Sequence, residues 1–306
     1  MARVLSTAFC VALLAATAGA FALTQGAKVE LSPILDTSIP VKVFSPACNC
    51  QTATAPISFH LRHKEHIQVW MERDGKRAET LVAGKTFPRG RVALQFDGIS
   101  DAGLTLPDGG YQPVVRLPHR TFTLPNTITI DTKPPVVQVR HRIYTHISPD
   151  GDGHRDSFTI HYTVKNEPAH GILIVDGHQV EFTHDKVRAG KLTWNGKLDD
   201  HLARPGNHVL EISAQDAAGN RAKPFPFAVV TIRYVALGRT RIVAKPGSRF
   251  AVLVLADAPK LELLFHGGHR SVSPGTLHLR APSKPGVYRL YVSAAGHAAK
   301  ADVVVG

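Results

Sequence analysis

Two stretches of the chain, about a hundred residues apart, spell the same short words in the same order. The first runs Phe44-Ser45-Pro46, then Ile57 to Arg62, then Leu94-Gln95-Phe96-Asp97-Gly98, then Pro107-Asp108-Gly109-Gly110-Tyr111. The second runs Ile147-Ser148-Pro149, Phe158 to Val164, Leu192-Thr193-Trp194-Asn195-Gly196, and Pro205-Gly206-Asn207-His208. A unit that recurs at such a period is a small domain set in series, each copy burying a core of its own.

A chain of 306 residues, 43% hydrophobic and 20% charged, is long enough for two or three such cores. Its 21 prolines and 25 glycines fall at short intervals between β-branched runs. Each of them ends a strand that would otherwise lengthen, so the composition reads as all-β. The clearest strand is Phe158 to Val164, where Phe158, Ile160, Tyr162 and Val164 fall on one face and Thr159, His161 and Thr163 on the other. In the first repeat, strands are expected at Ile57 to Arg62, Ile67 to Glu72, Ala78 to Val82, Arg91 to Phe96 and Tyr111 to Leu117. Phe122 to Leu124 and Thr127 to Ile130 follow.

The N-terminus reads Met1-Ala2-Arg3 and then an uncharged run from Val4 to Leu23. Small residues at Ala18-Gly19-Ala20 and Ala20-Phe21-Ala22 offer cleavage sites of a secretory signal. The run is also long enough to cross roughly 30 Å of hydrocarbon as a helix, so an uncleaved anchor is the other reading. Both place the bulk of the chain outside the cytoplasm. The expected divisions are 1–28, signal or membrane anchor; 29–42, stalk; 43–135, first domain; 136–235, second; 236–306, third. The first boundary falls at Asp131-Thr132-Lys133-Pro134-Pro135, because a diproline lacks backbone donors and stiffens the joint. The third domain, with five or so strands, is not an obvious copy of the other two.

Cys48 and Cys50 lie in the exported part, and Cys-Asn-Cys encloses one residue. An extended tripeptide holds its Cα atoms near 7 Å, the upper limit for a bridge, so a disulfide requires a turn at Asn49. Three states stay open: a local disulfide, free or intermolecular thiols, and a metal pair. The formal charge is +12 and the pI about 9.8. The basic residues are scattered and lack an aromatic platform, which argues against nucleic acid. For an exported chain, the partners of such a field are envelope proteins, anionic headgroups or anionic cell-wall polymers, attracted over a Debye length of about 8 Å.

The words Ser148-Pro149-Asp150-Gly151-Asp152-Gly153, Trp194-Asn195-Gly196, Pro205-Gly206 and Asp216-Ala217-Ala218-Gly219-Asn220 resemble the immunoglobulin-like module of the flagellar hook-assembly protein FlgD and of several exported bacterial proteins. Residues 43 to 135 carry a degenerate set. The resemblance implies tandem immunoglobulin-like β-sandwiches of seven or so strands. Independently, Phe96 and Trp194 read as core aromatics on matching strands. Asp97-Gly98 and Asn195-Gly196 read as hairpin turns. Hook assembly itself is not implied, because this chain has an export segment, two such modules and a third domain.

Asp150, Asp152 and Asp156 form the densest acidic cluster. They fit either a calcium site or a turn whose carboxylates cap backbone N–H groups. A full EF-hand loop is absent, since its fifth, sixth and twelfth positions hold His154, Arg155 and His161. His60, His63 and His66 are spaced for a strand on which His63 faces away from the other two, which spoils a zinc site. No nucleophile elbow, zinc-protease helix, Walker loop or dinucleotide fingerprint is present. Asp97, Asp101 and Asn195 lie beside turn glycines, where turn formation explains them, and the expectation is no catalytic residue and no cofactor. The functional expectation is a structural spacer or adhesion module at the cell envelope. Its alternatives are a carbohydrate- or cell-wall-binding protein, with Trp70 and Tyr144 as platform candidates, and an accessory subunit of an envelope enzyme or of a secretion or flagellar assembly.

Overall fold

The computed structural model describes residues 11–21, 31–139 and 143–306. Residues 11–21 are helical, and almost all other regular structure is strand. Among the described residues, no helix is long and apolar enough to cross a membrane. Residues 1–10 and 22–30, which hold the ends of the proposed leader, lie outside the described set.

The chain divides into two compact units, one of residues 1–42 and 54–129, the other of residues 43–53 and 130–306. In the first unit, Ile34–Ser38, Ala55–Leu61 and Gly90–Phe96 form a three-stranded sheet. Facing it, the order is Ile128–Ile130, Gly109–Arg116, Glu65–Arg73, Lys76–Phe87, with Thr121–Thr123 paired to the end of Gly109–Arg116. Phe59, Ile67, Val69, Met71, Phe96 and Tyr111 are buried in this unit. The stretch expected to be a stalk therefore carries a strand. Ile34, which is buried, pairs with Leu61, and after a register shift Ser38 pairs with Ser58.

The second unit holds two sandwiches, each with its own core. In one, Val137–Gln138, Phe158–Val164 and Ala189–Trp194 face Ile143–Ile147, Phe225–Ile232, Gly206–Gln215, His170–Val175 and His178–Phe182. Leu173, Leu192, Trp194, Ile212 and Val230 fill its centre. In the other, Val235–Leu237, Arg249–Ala256 and Gly275–Arg280 face Arg241–Ala244, His297–Val305, Gly286–Ala294, Leu261–Phe265 and Gly268–Val272. Leu263, Leu290, Val292 and Val303 fill its centre. Strand for strand the two orders are identical, and in both the first strand of the larger sheet pairs in parallel with the last. The third domain is thus a structural copy that its sequence hides. Antiparallel sheets closed by one such parallel pair form an immunoglobulin-like sandwich, and the chain is all-β with these sandwiches in tandem.

The repeat is punctuated by turns other than the expected ones. Arg73 pairs with Lys76, Val175 with His178 and Phe265 with Gly268, leaving two-residue loops at Asp74-Gly75, Asp176-Gly177 and His266-Gly267. Both residues of each loop have positive φ, as a type I′ hairpin requires. All three sit between the same two strands of their sandwiches. Asp97-Gly98 and Asn195-Gly196 do not join paired strands. Only the glycines there have positive φ, and Asp97 Oδ1 and Asn195 Oδ1 accept from the amides of Ile99 and Lys197 at 2.9 and 3.2 Å. These are Asx turns that end a strand and open a loop. The aromatics before them are core residues as expected: the Phe96 ring packs tilted against Tyr111, centroids 5.6 Å apart, and Trp194 donates from Nε1 to the Lys197 carbonyl at 2.8 Å.

Candidate functional site

Among its described residues, the second unit holds two acidic clusters, each of three carboxylates. In the first, ligand atoms of Asp150, Asp152 and Asp156 lie within 4.8 Å of one another. The two Asp156 oxygens accept from the amides of Gly151 and Gly153, both at 2.8 Å. Asp152 Oδ1 accepts from the His154 amide at 2.7 Å, and Ser148 donates its hydroxyl to Asp150 at 3.4 Å. Gly151 and Gly153 have positive φ, which lets the loop curl so that four amides, those of residues 151 to 154, point inward at carboxylates. Burial, followed by the charge of Asp152, holds the Asp150 carboxyl above its usual range despite the Asp152 amide that it accepts. The capped-turn arrangement is therefore present, and the same oxygens form the set that a hard cation would use.

The second cluster was not legible in the sequence. Asp131, Glu167 and Asp216 bring ligand atoms within 4.8 Å although they are far apart in the chain. Asp216 and Asn220, the ends of the Asp-Ala-Ala-Gly-Asn word, are both buried. Asn220 donates its backbone amide to Asp216 Oδ1 at 2.9 Å and its side-chain amide to Asp216 Oδ2 at 2.8 Å. The same side-chain amide donates to the carbonyl of Asp131 at 2.8 Å and, more weakly, to that of Lys133 at 3.4 Å. Asn166 accepts from the Val136 amide at 2.8 Å and donates to the Pro134 carbonyl at 3.3 Å. The diproline segment, which has few donors of its own, is thus held against the second sandwich by side-chain amides. Burial, then the charges of Asp216 and Asp131, push the Glu167 carboxyl up to about 7. Burial also raises Asp216, opposed by its bonds to Asn220. Asp131, Glu167 and Asp216 are, among the described residues, a second set of oxygens able to hold a hard cation.

Against the same turn lies the loop of residues 45–53. Cys48 and Cys50 form a disulfide with Cα atoms 5.2 Å apart, made possible by Asn49 at φ 47. Thr52 donates its hydroxyl to the Ala218 carbonyl at 2.8 Å. Gly219, at φ +94, faces this loop, and a Cβ there would collide with Cys50 Sγ and lie 2.6 Å from Thr52 Oγ1. Only glycine permits the approach.

The other expected residues are placed as follows. In the first unit, Glu79 is buried, its Oε2 has no hydrogen-bond partner, and burial together with the charges of Asp97 and Asp101 pushes its carboxyl up to about 8. Asp101 accepts from the amide and the hydroxyl of Thr80, both at 2.7 Å, so it acts as a strand-to-loop clamp. His60 lies 3.9 Å from Asp36, while His66 bonds Thr86 at 3.2 Å, and the histidine series shares no ligand position. Trp70 is roofed by the Arg77 guanidinium 4.3 Å above its ring, whereas Tyr144 is 75% exposed. A groove of about 1290 Å³ beside Val137, Tyr162 and Phe225 is bordered in sequence by residues 140–142, outside the described set, and no site is assigned to it.

No protein-family model matches the chain, and no curated protein sequence matches it. Among solved structures, it is similar to fibronectin(III)-like modules of Clostridium thermocellum CbhA, at 15% identity over 65% of this chain and 94% of that one, with a TM-score of 0.35. It is also similar to the I9-I11 tandem from titin, at 12% identity over 88% and 99% of the two chains, with a TM-score of 0.32. A 3Ig structure of titin domains I67-I69 shares 9% identity over 90% and 98%, with a TM-score of 0.34. The immunoglobulin-like assignment rests on the strand orders and registers given above.

Proposed function

We propose that this chain is a non-catalytic, exported or membrane-tethered array of FlgD-type immunoglobulin-like sandwiches that serves as a spacer or adhesion module at the bacterial cell envelope. One observation carries the reading. The diproline segment ahead of the second sandwich is held to it by Asn220 and Asn166, so that this stretch is built as part of that sandwich. A segment pinned by one buried and one exposed side-chain amide suits a protein whose product is a defined spacing. The apolar run from Val4 to Leu23 supports export, and the charge of +12 supports partners among anionic envelope polymers or envelope proteins. The test is fractionation of native cells with N-terminal sequencing of the recovered protein. Recovery in the envelope or outside the cell supports the reading, and recovery in the cytoplasm with an intact N-terminus overturns it.

A second reading, binding of a cell-wall carbohydrate, is favoured by Tyr144, which stands exposed beside Val209. Loss of glycan binding in Tyr144→Ala would support it, and a silent glycan array would remove it.

A further inference from the structure

One pole of the first sandwich is built from four neighbouring segments. Leu61 pairs with Gly90 and Glu65 with Phe87, which sets the loop of residues 62–64 beside Pro88 and Arg89. Arg62 donates its amide to the Pro33 carbonyl at 2.9 Å and its Nε to the Ser32 carbonyl at 3.2 Å, which sets residues 31–33 there too. The turn Leu117 to Arg120, closed by the Leu117 amide on the Arg120 carbonyl at 2.8 Å, completes the end. A concavity of about 400 Å³ opens among Leu31, Pro33, Arg62, Leu117 and Pro118.

The charges here are one-sided. Arg62, Lys64, Arg89 and Arg120 supply four fixed positive charges, His63 and His119 lie among them, and these segments hold no acid, Glu65 being the first residue of the strand that follows. Lys64, Arg89, His63 and His119 are exposed, and Leu31, 71% exposed, sits among them. This pole is also where the chain arrives from its apolar run. Leu31 lies eight residue steps beyond Leu23, and a fully extended chain covers at most about 3.6 Å per step. If the run stays in a bilayer, the pole lies within about 29 Å of its outer end.

We propose that this pole docks on an anionic lipid surface, its basic rim against headgroup phosphates and Leu31 at the interface. The proposal rests on the tethered form of the function given above. Tethering raises the effective concentration of the surface, so a rim too weak to bind from solution suffices to seat the sandwich. A basic side chain near an anionic leaflet contributes about 1 kcal/mol, which is about fivefold in the docked-to-undocked ratio.

The test uses the full chain reconstituted in vesicles of phosphatidylcholine, with and without phosphatidylglycerol, and reads amide exchange peptide by peptide. Protection of residues 62–64 and 117–120 is expected in the anionic vesicles alone, and is expected to vanish near 1 M salt, where the Debye length is about 3 Å. Lys64→Gln and Arg89→Gln, both at exposed loop positions, each lower that protection about fivefold, with the fold checked by circular dichroism. A chain that stays in the vesicles without lipid-dependent protection at this pole overturns the docking and leaves the tether intact. A chain that floats free of both vesicles overturns both. Protection by a soluble polyanion but not by phosphatidylglycerol also overturns the lipid assignment.

Discussion

Asn220→Ala probes the hold of the second sandwich on the diproline segment. The side-chain amide makes two good bonds, to the Asp131 carbonyl and to Asp216 Oδ2, each at 2.8 Å, with a longer third to Lys133. A bond to a neutral carbonyl contributes about 0.5 to 1.5 kcal/mol and one to a carboxylate about 1.5 to 3. Their loss should cost about 3 kcal/mol, because Asp216 is buried and no water replaces the donor cheaply. Asn220 now holds the Asp216 carboxyl down against the upward pull of burial. Without it that carboxyl rises further, so protonation relieves the variant and the penalty shrinks as the pH is lowered. Urea unfolding followed by Trp194 fluorescence in a Trp70→Phe background reads the second sandwich separately. A penalty below about 1 kcal/mol, or one that does not fall on acidification, would refute the clamp.

Other expectations follow from single sites. Trp194→Ala should cost about 3 to 5 kcal/mol in the second sandwich, read by thermal unfolding, since its ring is fully buried. For Glu79 the folded pKa, about 8, lies above the ordinary value of 4.5, so the folded state holds the proton more tightly. The first sandwich should therefore lose stability as the pH rises from about 4.5 to about 8, and Glu79→Gln should flatten that slope in urea titrations. Gly219→Ala forces both a strained backbone and a collision with the disulfide loop, and should cost about 1 to 3 kcal/mol. Limited proteolysis should then cut residues 45–53 faster, and unchanged cutting would contradict the docking of that loop. Asp156→Ala removes the acceptor of two loop amides and should cost about 0.5 to 2 kcal/mol with or without calcium, measured by denaturant titration.

What the sequence displays is what short-range physics controls. The alternation of Phe158 to Val164 appears as a strand with Ile160, Tyr162 and Val164 inward, because period two is set by the pleat alone. Phe96 and Trp194 were legible as core for the same reason: large aromatics before a turn must be buried somewhere. The parallel pairing of Arg241–Ala244 with Asp302–Val305 joins segments at opposite ends of a domain, and no local pattern announces it. Ile34–Ser38 was hidden by its brevity and by flanking prolines at positions 33 and 40. The hairpins at Asp74-Gly75 and Asp176-Gly177 did carry a readable signal, two turn-forming residues between apolar runs, but His266-Gly267 does not look like one. The cluster of Asp131, Glu167 and Asp216 depends on three distant loops meeting, which only the fold determines.

Pulling single molecules from their termini tests whether three separately cored sandwiches stand in series. Each sandwich holds on the order of 70 to 100 residues, so three unfolding events are expected, each lengthening the chain by about 250 to 350 Å. A single rupture releasing the whole length, or a featureless extension over residues 236–306, would contradict it.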